Sequence, residues 1–196
     1  MQFLLCCCLI AALLATGTCL KCEVCNGLGT TCRGAMRTCS VGEDTCVVEH
    51  VEILQSKQLF QLLGRQLLKT VIIPLSEVNL GNGMRVRMRR VCCTGASCRT
   101  ASPPALPPPD VIPNGLQCPG CMGLYSTECQ EQPVACMGSQ NKCIETAGNI
   151  TNYGVHLDVA LKGCANEVVC EYLKPGFMNF GGSSVWLTKA SCTTAP

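Results

Sequence analysis

Two kinds of apolar pattern run along this chain. Residues 3–15 form an unbroken, uncharged apolar run, about as long as the hydrophobic centre of a secretory leader and too short to span a bilayer. Further on, apolar positions alternate with polar ones. Residues 45–53 combine β-branched side chains with partial alternation, residues 85–89 alternate strictly, and residues 155–161 do so again, so each predicts a strand. Gly81-Asn82-Gly83 and Gly181-Gly182 interrupt the pattern as turns do. One segment reads differently: Leu59, Leu62, Leu63 and Leu67 fall at helical spacing, with Arg65 and Lys69 offering a polar side. Residues 54–75 are thus open between a short amphipathic surface helix, a core-filling segment and an irregularity of the gene model.

Small residues, Thr16, Gly17 and Thr18, follow the first apolar run and suit cleavage near Cys19 and Leu20, so residues 1–19 read as a signal peptide and the product as secreted and extracellular. No Lys or Arg precedes the run, a departure from the usual leader. The chain stops at Pro196 without a hydrophobic tail, so no membrane anchor is expected. Residues 101–113 hold six of the eleven prolines. Such a run is extended and semi-rigid, and it reads as a spacer between two modules, residues 20–100 and 114–196.

Cysteine usage changes the picture most. There are 20 cysteines in 196 residues but only 8 aromatic side chains, so covalent links must supply what a small core cannot. Removing the leader takes Cys6, Cys7, Cys8 and Cys19 and leaves sixteen, an even number in an oxidising compartment. Cys22, Cys25, Cys32, Cys39 and Cys46 recur as Cys118, Cys121, Cys129, Cys136 and Cys143, at offsets of 96, 96, 97, 97 and 97. Five matched positions with one insertion mark a duplicated module. The fold class expected is small, all-β and disulfide-rich, with two tandem units.

The ladder of Cys22-Glu23-Val24-Cys25, Cys32-Arg33-Gly34, Thr38-Cys39-Ser40, Glu43-Asp44-Thr45-Cys46, Asn114-Gly115-Leu116-Gln117-Cys118-Pro119 and Leu161-Lys162-Gly163-Cys164 resembles the three-finger modules of the Ly-6/uPAR family. The pair of modules with its N-G-x-x-C-P opening is most similar to the secreted branch of gamma-type phospholipase A2 inhibitors. The resemblance implies tandem three-finger (snake-toxin-like) modules and a secreted binding protein. It would inhibit secreted phospholipase A2 by steric occlusion through a broad protein interface, with a homo-oligomer as one form of the inhibitor. A secreted three-finger ligand or modulator of a cell-surface receptor is the alternative. The family's pairing carries over as Cys22 with Cys46, Cys25 with Cys32, Cys93 with Cys98, Cys118 with Cys143, Cys121 with Cys129, Cys136 with Cys164, and Cys170 with Cys192. Leu67 and Ile73 stand where module one would match Cys164 and Cys170. Cys39 and Cys92 are therefore expected to bond each other, or else to remain thiols or link two chains. Arg99 follows Cys98, where the family pattern places Asn.

Other chemistry fits less well. Thiolates spaced C-x-x-C suit zinc, but secretion and the repeat favour disulfides, so neither metal nor cofactor is expected. The two histidines, His50 and His156, lack the helical His and glycine-rich calcium loop of a secreted phospholipase, and no nucleophile elbow is present. An enzyme is not expected. A net charge of +2 gives no footprint for nucleic acid. Locally, Arg85, Arg87 and Arg89 would share one strand face, either simply solvated or an anion-binding edge for acidic proteins, glycosaminoglycan or lipid head groups. Asn149-Ile150-Thr151 is an N-glycosylation sequon.

Overall fold

The computed structural model describes residues 21–40, 43–68, 73–93, 97–152, 155–180 and 183–196; the leader, with Cys6, Cys7, Cys8 and Cys19, and the Gly181-Gly182 break lie outside them. Module one runs β1 (Lys21–Leu28), β2 (Ala35–Thr38), β3 (Thr45–Gln55), β4 (Gln58–Leu68), β5 (Ile73–Gly81), β6 (Met84–Cys93) and a single turn α1 (Ser97–Thr100). Module two runs β7 (Pro113–Leu124), β8 (Gln132–Met137), β9 (Lys142–Asn152), β10 (Val155–Ala165), α2 (Glu167–Tyr172), β11 (Gly176–Phe180) and β12 (Ser183–Thr194). Within module one the strands lie in the order β5-β6-β3-β4-β1-β2. The order β11-β12-β9-β10-β7-β8 repeats it in module two, so the duplication read from the cysteines reappears in strand pairing. The turn from β5 to β6 needs Gly81, Asn82 and Gly83, which have φ of 83°, 49° and 73°, a region that glycine enters without a Cβ clash.

Residues 59–69 contain no helix over their described part. Residues 58–68 are the strand β4, paired with β3 from Gln58 to Leu68 and with β1 through Leu62, Leu63, Gly64 and Arg65. A strand buried on both faces loses its alternation and reads as a nearly continuous apolar run, and leucines then land at helical spacing by coincidence. Leu67 lies opposite Cys46 and packs with Cys22, Cys46 and Cys98. Its module-two counterpart, Cys164, lies opposite Cys143 in the same register, so an aliphatic side chain fills the place of a crosslink.

Seven disulfides join Cys22–Cys46, Cys25–Cys32, Cys93–Cys98, Cys118–Cys143, Cys121–Cys129, Cys136–Cys164 and Cys170–Cys192. The expected bond between Cys39 and Cys92 is not formed. Strand alternation is the reason: Cys39 packs on the side of Cys93, whereas Cys92, the preceding residue on β6, points to the other face and is exposed.

The modules share one sheet. At its end β10 leaves β7 and pairs with β5, Cys164 opposite Asn79 and Ala165 opposite Val78. Asn166 then docks on β5 through three hydrogen bonds: its backbone N–H donates to the Glu77 carbonyl, its Nδ2 to the Leu75 carbonyl at 2.7 Å, and its Oδ1 accepts from the Glu77 N–H. A Cβ on Gly163 would lie 2.1 Å from the Asn79 carbonyl oxygen, so this close approach requires glycine. α2 packs Val168 and Tyr172 against Val51, Met88 and Val86 of module one.

Candidate binding surface

One face of module one is covered by a later stretch of the chain. On it lie His50 and Glu52 of β3 with Arg85, Arg87 and Arg89 of β6, and residues 101–110 cross them as a strap. Arg65 Nη2 donates to the Ala101 carbonyl at 3.3 Å, His50 Nδ1 to Pro104 at 3.0 Å, Arg89 Nη1 to Ala105 at 2.9 Å, Arg87 Nη2 to Pro107, and Arg85 Nη1 to Asp110 at 3.2 Å. The strap therefore runs antiparallel to β6. From Arg89 to Arg87 the spacings fit, since two strand residues span about 6.7 Å and two polyproline residues about 6.2 Å. Proline suits the role because it offers a carbonyl acceptor and no N–H that would need a partner. The three arginines do share a face, but it is not an open anion-binding edge: the strap covers it. Residues 101–110 thus pack along module one through these five bonds.

Charge inside module one is paired. Arg87 bridges Glu52 at 3.0 Å and Glu77 at 2.9 Å, its register partners on either side. Arg65 meets Glu23 at 3.0 Å, and Arg90 meets Glu49, directly across from it on β3. Glu49 is fully buried, so such a pair holds only because each charge has its partner.

Module two leaves its corresponding face bare. Trp186 of β12 lies opposite Phe177 of β11 on one side and Asn149 of β9 on the other, and Asn149 lies opposite Asp158 of β10. Phe177 is 62% exposed and Trp186 52%, a cross-strand aromatic pair in solvent. Further along, Lys162 bridges Glu131 at 2.5 Å and Glu145 at 2.6 Å, and Lys189 reaches Glu145 at 2.7 Å. The bond from Lys162, then that from Lys189, holds the Glu145 carboxyl below its ordinary range. Glu131, then Glu145, holds Lys162 above its ordinary range. At the end of β7, Tyr125 is 81% exposed with φ of 60°, and no sequence signal had singled it out.

The remaining sequence candidates have other settings. His156 Nδ1 lies 2.8 Å from the Thr151 hydroxyl, its register partner, so the sequon hydroxyl and the histidine form an exposed cross-strand pair. Sulfurs of Cys118, Cys136 and Cys164 lie within 4.8 Å of one another, but each is bound in a disulfide and offers no thiolate. Asn114 of the N-G-x-x-C-P opening donates to the Gly138 and Gln140 carbonyls and so closes the turn after β8. Among the described residues no helix is long and apolar enough to cross a membrane.

Comparison with known proteins follows these features closely. The family model described as phospholipase A2 inhibitor matches residues 20–100, and that described as u-PAR/Ly-6 domain matches residues 114–195. Phospholipase A2 inhibitor NAI of Notechis ater is 40% identical over 182 residues, spanning 91% of this chain and 90% of that one. A phospholipase A2 inhibitor gamma chain of Gloydius brevicaudus siniticus is 39% identical over 176 residues, with 89% and 88% covered. Among solved structures, mouse TEX101 covers 89% of the chain at 16% identity and a TM-score of 0.38, so assignment rests on the sequence matches. With two-fifths identity across nine-tenths of both chains, this protein belongs to the phospholipase A2 inhibitor family and carries its Ly-6/uPAR fold.

Proposed function

We propose that this protein is a secreted inhibitor of phospholipase A2 that acts by steric occlusion. The carrying observation is the identity of 40% over 182 residues with a protein named as such an inhibitor. Geometry supports the site. Large exposed apolar side chains on a rigid scaffold mark interaction surfaces, aromatic residues dominate binding energy at protein interfaces, and the Phe177–Trp186 pair is held by three paired strands and the Cys170–Cys192 link. The interface centres on the edge hairpin of β11 and β12 and covers the enzyme's catalytic or lipid-contacting face. Asn149 is the glycan acceptor, and its glycan borders the aromatic pair on the β9 side. Hydrolysis by a panel of secreted phospholipases, with and without an equimolar amount of the purified protein, tests this reading. Inhibition of at least one enzyme is expected; folded protein that inhibits none shifts the function to a receptor ligand. A mobility change on treatment with peptide N-glycosidase, absent in Asn149→Gln, is the expected sign of the glycan.

A further inference from the structure

The faces opposite the strap and the aromatic pair meet at the module joint and line a half-open pocket of about 420 Å³. Small-molecule sites commonly measure about 300 to 1,000 Å³, whereas protein interiors tolerate few voids larger than a water. Eighteen residues line this one, from β4, β5 and β6 of module one and from β9, β10, α2, β11 and β12 of module two. Fourteen of them are Val, Leu, Ile or Met. The four with polar side-chain atoms are Ser76, Arg90, Thr146 and Tyr172. Among the described lining residues Arg90 is the one charged side chain, and it is neutralised by Glu49 through Nε at 2.9 Å and through Nη2; Thr146 donates its hydroxyl to the Leu161 carbonyl.

An interior of this kind penalises any charged or strongly hydrogen-bonding group and rewards hydrocarbon. A methylene fills about the volume of one liquid water, about 30 Å³, so the pocket seats on the order of a dozen carbons of a single chain, and its open side leaves room for the rest of a longer one. Leu173 lines the pocket, and the next residue in the chain, Lys174, is exposed. The acidic residues of α2, Glu167 and Glu171, are four apart on one side of that helix, and Glu167 pairs with Lys142 at 3.6 Å.

We infer that the cavity between the modules binds one long-chain fatty acid, its hydrocarbon tail against Val78 and Met88 of module one and Ile150 and Leu161 of module two, and its carboxylate at Lys174. Such a ligand would join the modules by an apolar bridge in addition to the shared sheet. Binding is a property of the cavity and stands or falls separately from phospholipase inhibition.

The experiment uses the full secreted protein, freed of lipid and titrated with oleate below its micelle concentration. Displacement of 1-anilinonaphthalene-8-sulfonate reports affinity, and native mass spectrometry counts bound oleate. Saturable binding of one oleate per chain is expected, with a dissociation constant on the order of micromolar. Leu161→Trp and, separately, Val78→Phe fill the cavity and weaken binding by roughly tenfold or more. Near-UV circular dichroism identifies which of them is folded, and either suffices. Lys174→Glu weakens oleate several-fold while leaving oleyl alcohol unchanged, which separates the carboxylate contact from the tail. Absence of saturable one-to-one binding, or wild-type affinity in folded cavity-filling variants, would overturn the inference.

Discussion

The two modules repeat one strand order but hold it together by different means. Module two has four disulfides, and its ion pairs lie at the surface. Module one has three disulfides, and four ion pairs run through its interior with side chains mostly below a tenth exposed. Where Cys164 crosslinks module two, Leu67 fills space in module one. The face that module two leaves open to solvent is, in module one, roofed by residues 101–110. That face is covered in module one, whereas module two exposes the aromatic pair of Phe177 and Trp186 on its own. The same repeat thus supplies a braced half and, on the proposed function, a presenting half.

If buried charge braces module one, breaking one pair should give the largest effect. Glu49→Ala leaves Arg90 buried without its carboxylate and should cost about 3 to 5 kcal/mol, read as an earlier module-one transition in calorimetry. Replacing both partners, Glu49→Leu with Arg90→Met, should restore most of that loss; equal loss in the single and double variants would break the comparison.

In module two the brace is covalent. Cys136→Ala with Cys164→Leu imitates module one and should cost roughly 2 to 4 kcal/mol by freeing a loop in the unfolded chain. The change should appear in the module-two transition and leave Glu49 and Arg90 protected from exchange. A smaller effect is expected from the strap. Arg85→Ala with Arg89→Ala removes two bonds to the Ala105 and Asp110 carbonyls, each worth about 0.5 to 1.5 kcal/mol, so faster proteolysis near residue 105 should accompany a modest fall in midpoint.

The smallest effect belongs to the surface ladder. Because the folded Glu145 carboxyl lies below its ordinary value of 4.5, its contribution is present above that pH and is lost as pH falls through the folded value. Lys162 lies above its ordinary value of 10.5, so its contribution is present below that pH and is lost as pH rises through the folded value. Lys162→Met should flatten the acid limb of stability below pH 4.5 by a few tenths of a kcal/mol, the scale of exposed pairs.

What could be read from the sequence was local. Alternation in residues 45–53, 85–89 and 155–161 found β3, β6 and β10 because one neighbour decides which way a strand side chain points. In β4 it failed, since burial on both faces erases the period; Gly64, a poor helix interior residue, was the available warning. The arginine stripe was placed on the correct face, but its partner is a carbonyl row far along the chain, and only the six prolines hinted at acceptors without donors. Gly163 stands in the Leu161-Lys162-Gly163-Cys164 motif, but neither it nor Asn166 announces its contact, because both act on β5, close to ninety residues earlier. Likewise the proposed site at Phe177 and Trp186 depends on a register between two strands, and spacing of single residues does not reveal it.

Side-by-side inhibition of one responsive secreted phospholipase A2 tests the central claim most directly, using wild type, Phe177→Ala with Trp186→Ala, and Arg85→Ala with Arg89→Ala. Wild type and the strap variant should inhibit alike, and the aromatic variant should be weaker by roughly tenfold or more. Full potency in the folded aromatic variant, or selective loss in the strap variant, would contradict the division into a braced and a presenting half.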